Sequence, residues 1–350
     1  MLSFCWFRVA GISALVSAGT IFLVACGNSD GGGSGAPSNL PVTIDWVTVG
    51  GAGNAGDAQE TCDTCAPGPA FGAVDYVFRI GKFEVTNAQY AELLNSVAAT
   101  DTFELYAAEM GTSGIDRSGS SGSYTYSASA GFENKPVQLV SFHDSLRFVN
   151  WLHNGQPTGA QSNTTTEDGA YTITESGIAN NTVMRNADAR IFLTSEDEWY
   201  KAAYYDTVTM SYYDYPAGSD AEIMCETPGT KANTANCDSP ESGLTDVGSY
   251  ARAASPNGTF DQGGNVWEWN ESPSDIRPAS FRARGARGGS FEFPPNALGA
   301  FSRAGFEASD QGHNVGFRVA SVALLPVPVL LQGFDDCTVQ QILSAAGCSN

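Results

Sequence analysis

Cationic residues are scarce in this chain of 350 residues, which has 17 Lys and Arg against 38 Asp and Glu and a formal net charge of −21. An excess of negative charge this large argues against binding nucleic acid or anionic lipid through a broad basic surface. No nucleic-acid partner is therefore expected. Histidine is also rare, with three in the whole chain, so a metal site built mainly from imidazoles has few candidate ligands.

Long hydrophobic runs are missing except for the 16 residues from Val9 to Val24. A membrane-spanning helix needs about 20 residues, so this run is more typical of a signal-peptide core. The sequence Leu23-Val24-Ala25-Cys26 resembles the lipobox of bacterial lipoproteins, which implies cleavage before Cys26 and lipidation of that cysteine. An uncleaved signal anchor is the alternative.

The N-terminal pattern divides the start of the chain into two segments. Residues 1–25 are predicted to be a lipoprotein signal peptide, and residues 26–41, rich in Gly and Ser, a flexible tether. We therefore expect an exported protein of the bacterial cell envelope, attached to a membrane through its lipid anchor alone. The sequence leaves open the outer membrane, the periplasm and the cell surface.

Cysteine is used sparingly, with eight in the chain, of which Cys5 lies in the predicted signal peptide and Cys26 is the predicted anchor. The remaining six form three pairs that are close in sequence: Cys62 with Cys65, Cys225 with Cys237, and Cys337 with Cys348. In an oxidising compartment such pairs indicate disulfides, although six cysteines allow 15 connectivities. A redox or zinc half-site at Cys62 and Cys65 is the alternative.

Glycine and proline are abundant, at 39 and 16 residues, and they favour a loop-rich fold over a helical bundle. A capping box at Thr86 and Gln89 predicts a helix that continues to about Val97. Ser141 and Thr194 are the expected N-caps of two further helices. Residues 111–131 are rich in Ser, Gly and Tyr and are predicted to be a long loop.

The sequence Gly263-Gly264-Asn265-Val266-Trp267-Glu268-Trp269 combines two glycines, two indoles and one carboxylate directly after Asp261. Glycines permit a sharp turn that brings backbone carbonyls together, and the two acids complete an oxygen-rich set of the kind that calcium prefers. Strand geometry places the indoles on the face opposite Glu268. The alternative is a core strand that carries one solvated acid.

The order of several motifs is more specific than any one of them. The motifs are Arg79-Ile80-Gly81-Lys82-Phe83-Glu84-Val85-Thr86-Asn87, Pro136-Val137-Gln138-Leu139-Val140-Ser141, Leu193-Thr194-Ser195-Glu196-Asp197-Glu198-Trp199, the Trp-Glu-Trp block, Arg287-Gly288-Gly289-Ser290-Phe291 and Asn314-Val315-Gly316-Phe317-Arg318. The series resembles the formylglycine-generating enzyme (sulfatase-modifying factor) family over residues 42–323.

This resemblance implies an α+β domain of C-type-lectin-like topology, irregular and loop-rich, with few helices and short twisted antiparallel strands. Residues 324–350 are then expected to form a C-terminal tail that contains the Cys337–Cys348 pair. The fold alone does not decide the function, because one fold hosts many functions.

Copper chemistry is not expected, although the resemblance points to a family of oxidoreductases. In its copper-dependent enzymes two cysteines follow the Gly-Gly-Ser motif and bind Cu(I), for which soft thiolates are suited. Here the matching positions are Phe293 and Leu298, and neither side chain offers a donor. Whether the protein is an enzyme is therefore open.

A second branch of the same superfamily uses iron held by three histidines from an additional helical domain. The histidines of this chain are His143, His153 and His313, and their spacing does not suit a shared metal. We expect His143 and His153 to be surface or cap residues. His313 lies in a predicted loop, where it could contact a ligand.

Calcium is the metal that the resemblance still supports. It implies one site formed by the side chains of Asp261 and Glu268 and the carbonyls of Gly264 and Val266, and a second that includes Asn233 and Thr234. The resemblance also implies a ligand cleft, and its candidate residues are Trp267, Ser290 and His313.

These observations favour an exported, lipid-anchored binding or accessory protein, stabilised by calcium and without copper oxidase activity. Its expected partner is a protein, peptide or glycan that the sequence does not identify. The alternative is an oxidoreductase of the same family that modifies a protein or thiol substrate by other chemistry. A purely structural surface module is a third possibility, and it predicts no aromatic cleft.

Overall fold

The computed structural model describes residues 41–57, 70–241, 243–278 and 281–322. The predicted signal peptide, Cys26 and most of the tether lie outside these residues. The Cys62–Cys65 pair and the predicted C-terminal tail with its Cys337–Cys348 pair also lie outside them.

The described residues contain four α-helices, which are α1 (Asn87–Val97), α2 (Phe142–His153), α3 (Glu175–Asn180) and α4 (Glu196–Tyr204). Capping boxes open three of them, because the N-cap hydroxyls of Thr86, Ser141 and Ser195 each accept the backbone N–H of the third helical residue. The caps predicted at Thr86 and Ser141 are confirmed. The N-cap of α4 is Ser195 and not Thr194, because Glu198 is correctly spaced to complete a box with Ser195.

Helix α2 lies in the centre of the fold, and every residue from Phe142 to Leu152 is buried. The expectation that His143 is a surface or cap residue is therefore wrong. Its side chain is 6% exposed and contacts the ring of Phe142, because α2 is covered on all sides and not on one stripe alone. His153, at the end of α2, accepts the backbone N–H of Arg190 at 3.2 Å.

The first sheet has four antiparallel strands in the order β1-β2-β14-β5. Their bounds are Trp46–Val49 for β1, Phe78–Gly81 for β2, Ile191–Leu193 for β5 and Val319–Val322 for β14. The sheet joins the first strands of the domain to its last one. The two ends of the domain are thereby held together.

The second sheet has the order β12-β11-β10-β13 and carries most of the candidate site. Its strands are β10 (Trp267–Pro273), β11 (Ala283–Arg287), β12 (Ala304–Glu307) and β13 (Val315–Gly316). Strands β10, β11 and β12 are antiparallel neighbours, whereas β13 pairs with β10 in parallel. The expectation of antiparallel strands therefore holds for most of this sheet but not for its edge.

Three two-stranded ladders complete the strands of the described chain: β3 (Ile115–Ser118) with β4 (Thr125–Ala128), β6 (Tyr205–Asp206) with β7 (Ser211–Tyr212), and β8 (Met224–Cys225) with β9 (Thr234–Ala235). The first of them corrects the prediction of a long loop over residues 111–131. Tyr126 in β4 is buried against Tyr106, so tertiary packing stabilises a hairpin in a polar, Gly-rich segment.

The fold agrees with the predicted class, an irregular α+β domain with few helices and short strands. One large hydrophobic core joins α1 and α2 to both sheets and includes Trp267, Trp269 and Phe317. None of the helices in the described ranges is long and apolar enough to cross a membrane.

Candidate functional site

The turn before β10 sets the position of the Trp-Glu-Trp strand. Gly264 has a φ of +90°, and a Cβ at this residue would lie 2.4 Å from the backbone oxygen of Asn236. Only glycine fits so close an approach in this backbone conformation. The N–H of Gly264 donates to the carbonyl of Gly288 at 2.8 Å, which ties the turn to the Gly-Gly-Ser segment.

Glu268 is fully buried and forms an ion pair with Arg318. The guanidinium donates to both carboxylate oxygens at 2.6 Å, and the indole N–H of Trp199 donates to the same carboxylate at 2.6 Å. The alternative of a core strand with a solvated acid is wrong on this point, because the acid is buried with its partners. The carboxylate thus accepts three hydrogen bonds from these two side chains.

Two more buried acids lie around the same arginine. A carboxylate oxygen of Glu84 lies 3.9 Å from Arg318, and that oxygen accepts no hydrogen bond from the described residues. Burial, with the negative charge of Asp261 next in importance, raises the pKa of Glu84 well above its usual value. Burial likewise raises the pKa of Asp261 to about 6, although this carboxylate accepts the N–H of Gly248 at 2.6 Å.

The predicted calcium ligands are therefore not all free. Asp261, Gly264 and Val266 lie together at the turn, but the side chain of Glu268 is held by Arg318 and Trp199. The described ranges contain no group of three or more His, Cys, Asp or Glu side chains that could hold a metal ion. Calcium at this turn stays a prediction, with Asp261 the more available of its two acids because Glu268 is paired with Arg318.

The residues of the second predicted calcium site, Asn233 and Thr234, make local hydrogen bonds. The amide of Asn233 donates to the carbonyls of Ala221 and Glu222, and the hydroxyl of Thr234 donates to the carbonyl of Lys231. The side-chain oxygen of Asn233 is buried and accepts no hydrogen bond from the described residues. This oxygen, and the lone pairs of the Thr234 hydroxyl, are the acceptors that these two side chains offer a cation.

A cavity of about 470 Å³ lies beside Trp267, on the sheet face opposite Glu268. The ring of Phe293 meets the indole of Trp267 edge-to-face at 5.4 Å, and that of Phe306 does so at 6.2 Å. Trp267 is 4% exposed, and its indole N–H finds no acceptor among the described residues. The volume is within the range of small-molecule sites, about 300–1,000 Å³.

The polar side of the cavity is formed by arginines. Arg303 donates to Glu196 at 2.6 and 2.8 Å and pairs with Asp275 at 2.8 Å. Glu196 also accepts from the buried Arg287 at 2.8 Å. Arg277 is the other arginine of the lining, and its Nε donates to the carbonyl of Gly305 at 3.2 Å.

Of the three predicted cleft residues, only Trp267 lines the cavity. Ser290 is fully buried behind it, and its hydroxyl accepts the N–H of Glu292 at 3.4 Å. His313 has a side chain that is 64% exposed, and its Nε2 lies 3.0 Å from a carboxylate oxygen of Glu292. It does not reach the cavity.

The two residues that the resemblance aligns with the copper ligands lie in different surroundings. Phe293 is 37% exposed and forms part of the cavity wall. Leu298 is fully buried in a small cluster with Cys237, and Cys225 packs against that cluster. Cys225 and Cys237 form a disulfide, as predicted, so no free thiol of the described residues is available there.

Sequence reasoning missed several residues of this region. Glu84 and Arg318 are within the motifs that carried the resemblance, but nothing in their spacing showed that they meet around Glu268. Arg277 and Phe306 lie outside every motif. No sequence pattern predicts that they line the cavity. Phe306 lies in β12 and Arg277 follows β10, and these segments come together only in the folded sheet.

Comparisons with known proteins agree with the fold. Residues 41–323 match the family model of the sulfatase-modifying factor enzyme 1-like domain. No curated protein matches the chain at a significant level. Among solved structures, variable protein 1 of Treponema denticola has a TM-score of 0.52 at 18% identity, and the match covers 81% of this chain and 96% of that one.

Two further structures are similar over the same length. CarF has a TM-score of 0.47 at 19% identity, with 81% of this chain and 99% of that chain covered. PvdO from Pseudomonas aeruginosa has a TM-score of 0.43 at 18% identity, with 81% and 93% covered. At such identities the likeness to the Treponema denticola protein shows a shared fold and says nothing about the ligand.

Proposed function

This chain belongs to the sulfatase-modifying factor enzyme 1-like family, and we propose that it is a binding protein of that family without copper oxidase activity. The proposed site is the cavity beside Trp267. The proposed ligand places an apolar group, such as an aromatic side chain of a peptide, against the rings that line this cavity.

One observation carries the proposal, namely the residues at the two positions where the copper enzymes of the family need thiolates. Phe293 closes one side of the cavity with an aromatic ring, and Leu298 is buried in an apolar cluster with Cys237. Neither side chain can donate an electron pair to Cu(I). Phe293 instead adds an apolar ring to the cavity wall, which suits binding of a hydrophobic group.

The shape and composition of the cavity support a binding role. Three aromatic rings, those of Trp267, Phe293 and Phe306, meet edge-to-face and leave a preformed apolar surface. Rings packed in this way lose little conformational freedom when a ligand arrives, because neighbouring side chains already hold them. A purely structural surface module, the third possibility raised by the sequence, predicts no aromatic cleft, so this cavity favours a binding role.

The proposed location is the bacterial cell envelope, with the domain attached through a lipid on Cys26. Support comes from the apolar segment before Cys26, from the Gly- and Ser-rich residues after it, and from the disulfide between Cys225 and Cys237, which suits an oxidising compartment. Mass spectrometry of the mature N-terminus tests this. An intact Met1 start in the membrane fraction would refute the anchor.

A stabilising calcium ion is a second part of the proposal, and the residues fit it only in part. We propose that such an ion is held by the carboxylate of Asp261 and the carbonyls of Gly264 and Val266, which are the hard oxygen ligands that calcium prefers. The proposed set leaves out Glu268, because its carboxylate is paired with Arg318. A bound cation would keep Asp261 ionised in its buried position.

Binding of a neutral aromatic probe, N-acetyl-L-phenylalanine amide, tests the proposed function. Titration calorimetry should detect saturable binding that Phe293→Ala weakens roughly fivefold to tenfold, about 1–1.4 kcal/mol, since an edge-to-face partner of the ligand is lost. Phe301→Ala is the matched control, because Phe301 is similarly exposed, at 41% against 37%, but does not line the cavity. No binding at millimolar probe, or equal loss in both variants, would refute the site.

A further inference from the structure

We propose that the cavity beside Trp267 selects ligands that join an aromatic ring to a carboxylate, with the ring against Trp267 and Phe306 and the carboxylate on Arg277. The inference rests on the proposed binding function and adds the chemical class of the ligand. Its basis is the unpaired charge of Arg277 and the hydrogen-bond donors of Arg277 and Trp267 that have no acceptor in the described residues.

Arg277 is an exposed residue at the edge of the cavity, and two contacts with its neighbours leave its terminal nitrogens open to a ligand. Its Nε donates to the carbonyl of Gly305, and its guanidinium lies over the ring of Phe281 at 5.6 Å. The two terminal nitrogens make no hydrogen bond and no ion pair with any residue in the described ranges. A guanidinium presents a planar pair of donors whose geometry matches a carboxylate.

The other charges of the cavity already neutralise one another. Arg303 pairs with Glu196 and Asp275, and Arg287 donates to Glu196 from the other side. Two arginines thus face two acids, and Arg277 is the charged side chain of the lining that lacks a counterion in the described residues. A ligand with a negative charge would supply that counterion.

The net charge of the whole chain does not reverse this preference. The protein carries −21 overall, and a field of that sign disfavours anions at long range. At physiological salt, however, screening limits such effects to about 8 Å. Contact with Arg277 therefore decides binding at the cavity, and the acidic surface mainly slows the approach of an anion.

Trp267 adds a second unused donor. Its indole N–H is buried and has no acceptor in the described part of the chain. A buried donor without a partner is unfavourable, so a ligand that brings an acceptor gains more than one that is purely apolar. Together, the guanidinium and the indole favour a ligand with acceptor oxygens beside its ring over one with an amine.

The experiment compares two probes that differ in one group. N-acetyl-L-phenylalanine has a carboxylate where its amide has a neutral group, and both have the same ring. We expect titration calorimetry to give about tenfold tighter binding for the carboxylate. Arg277→Gln should weaken binding of the carboxylate more than binding of the amide and so reduce this ratio to about one, and Arg277→Lys should restore part of the ratio.

Two controls make the result specific. Arg252→Gln removes an exposed arginine that does not line the cavity and should leave the tenfold ratio intact. A third probe, 3-phenylpropionate, has the ring and the carboxylate without the peptide amide. If it binds as tightly as N-acetyl-L-phenylalanine, the cavity takes free aromatic acids, and if it binds only weakly, the C-terminal aromatic residue of a peptide is the natural form.

The outcomes separate this inference from the proposed function. Equal affinity for carboxylate and amide, or a ratio that survives Arg277→Gln, overturns the assignment of the carboxylate to Arg277 while the binding function stands. Failure of both probes to bind overturns the binding function itself. Unchanged thermal unfolding of Arg277→Gln shows that a lost ratio reflects the missing guanidinium and not a damaged fold.

Discussion

Arg318 is the cation on which a group of buried acids depends, since it pairs with Glu268 and lies near Glu84 and Asp261. Removal of one partner of a buried ion pair leaves the other charge without compensation, at a cost of about 3–5 kcal/mol. We expect Arg318→Met to lower the free energy of unfolding by about that amount, as measured by urea denaturation.

The control for this prediction is the exposed pair of Lys231 with Glu226. Such pairs contribute about 0.2–1 kcal/mol, because solvent screens both charges. Lys231→Met should therefore change stability little. If Arg318→Met were as mild as Lys231→Met, the buried pair would not be a determinant of the fold.

His143 should make the protein less stable in acid. Burial, together with the nearby charges of Arg147 and Arg284, lowers the pKa of His143 to about 4. A histidine in the unfolded chain has a pKa of about 6.5. Between these values the unfolded state binds the proton and the folded state does not. The free energy of unfolding therefore decreases as the pH falls from about 6.5 to about 4, by about 3 kcal/mol in total.

The variant His143→Gln isolates this contribution from that of the carboxylates. Urea denaturation at a series of pH values should give a shallower pH dependence for the variant than for the natural protein over that interval. Parallel curves for the two proteins would mean that His143 does not remain neutral when folded.

Removal of calcium tests the proposed role of Asp261. A ligand that binds only the folded state adds RT ln(1 + [L]/Kd), about 2.7 kcal/mol at a hundredfold excess over Kd. A chelator should lower the melting temperature of the natural protein, and Asp261→Asn should remove that sensitivity while still accepting the N–H of Gly248. Asp75→Asn, an exposed control, should keep it. An identical melting curve with and without chelator would end the proposal.

At the site, the sequence predicted the local alternation of side chains but not the contacts between distant residues. The alternation of Trp267, Glu268 and Trp269 correctly placed the indoles opposite the acid, because a strand has a period of two. The sequence did not show that Glu268 faces Arg318, since 50 residues separate them and their pairing depends on the parallel contact of β10 with β13. Ser290 and His313 were expected in the cleft, but neither lines it.

The elements were predictable where their signals are local. The caps at Thr86 and Ser141 follow from residues three positions apart, and both helices begin where those caps place them. The hairpin β3–β4 was missed because its strands are polar, and its stability comes from distant aromatic contacts such as Tyr106 with Tyr126. Such contacts leave no periodic trace in a sequence.

The disulfide between Cys225 and Cys237 should stabilise the segment that supports the cavity wall. The backbone N–H groups of Asp238 and Ser239, directly after it, donate to the carbonyls of Phe293 and Phe291. Replacement of both cysteines by alanine should lower the free energy of unfolding by about 2–4 kcal/mol. Hydrogen exchange should also become faster at the amides of Asp238 and Ser239.

If exchange at Asp238 and Ser239 is as slow in the double variant as in the natural protein, the disulfide does not hold this segment. The cavity wall would then be stabilised by the apolar cluster around Leu298 alone.

At the scale of the whole molecule, the fold was predicted from the family resemblance that the order of the motifs carries. The family match over residues 41–323 and the observed α+β architecture agree with that prediction. The cavity could not be predicted in the same way, since Arg277, Phe293 and Phe306 converge only after the second sheet has formed. The order of the motifs therefore carries the family resemblance, whereas the lining of the cavity depends partly on side chains outside the motifs.

The central proposal is that this protein has the fold of a sulfatase-modifying factor without its copper chemistry, since the resemblance places Phe293 and Leu298 at the positions of the thiolates. The most direct test is mass spectrometry of a cysteine-containing sulfatase-type peptide after incubation with the protein, copper, a reductant and oxygen. We predict no conversion of the cysteine to formylglycine above that of a heat-denatured control. Copper-dependent conversion by the unmodified protein, at more than one turnover per chain, would contradict the account.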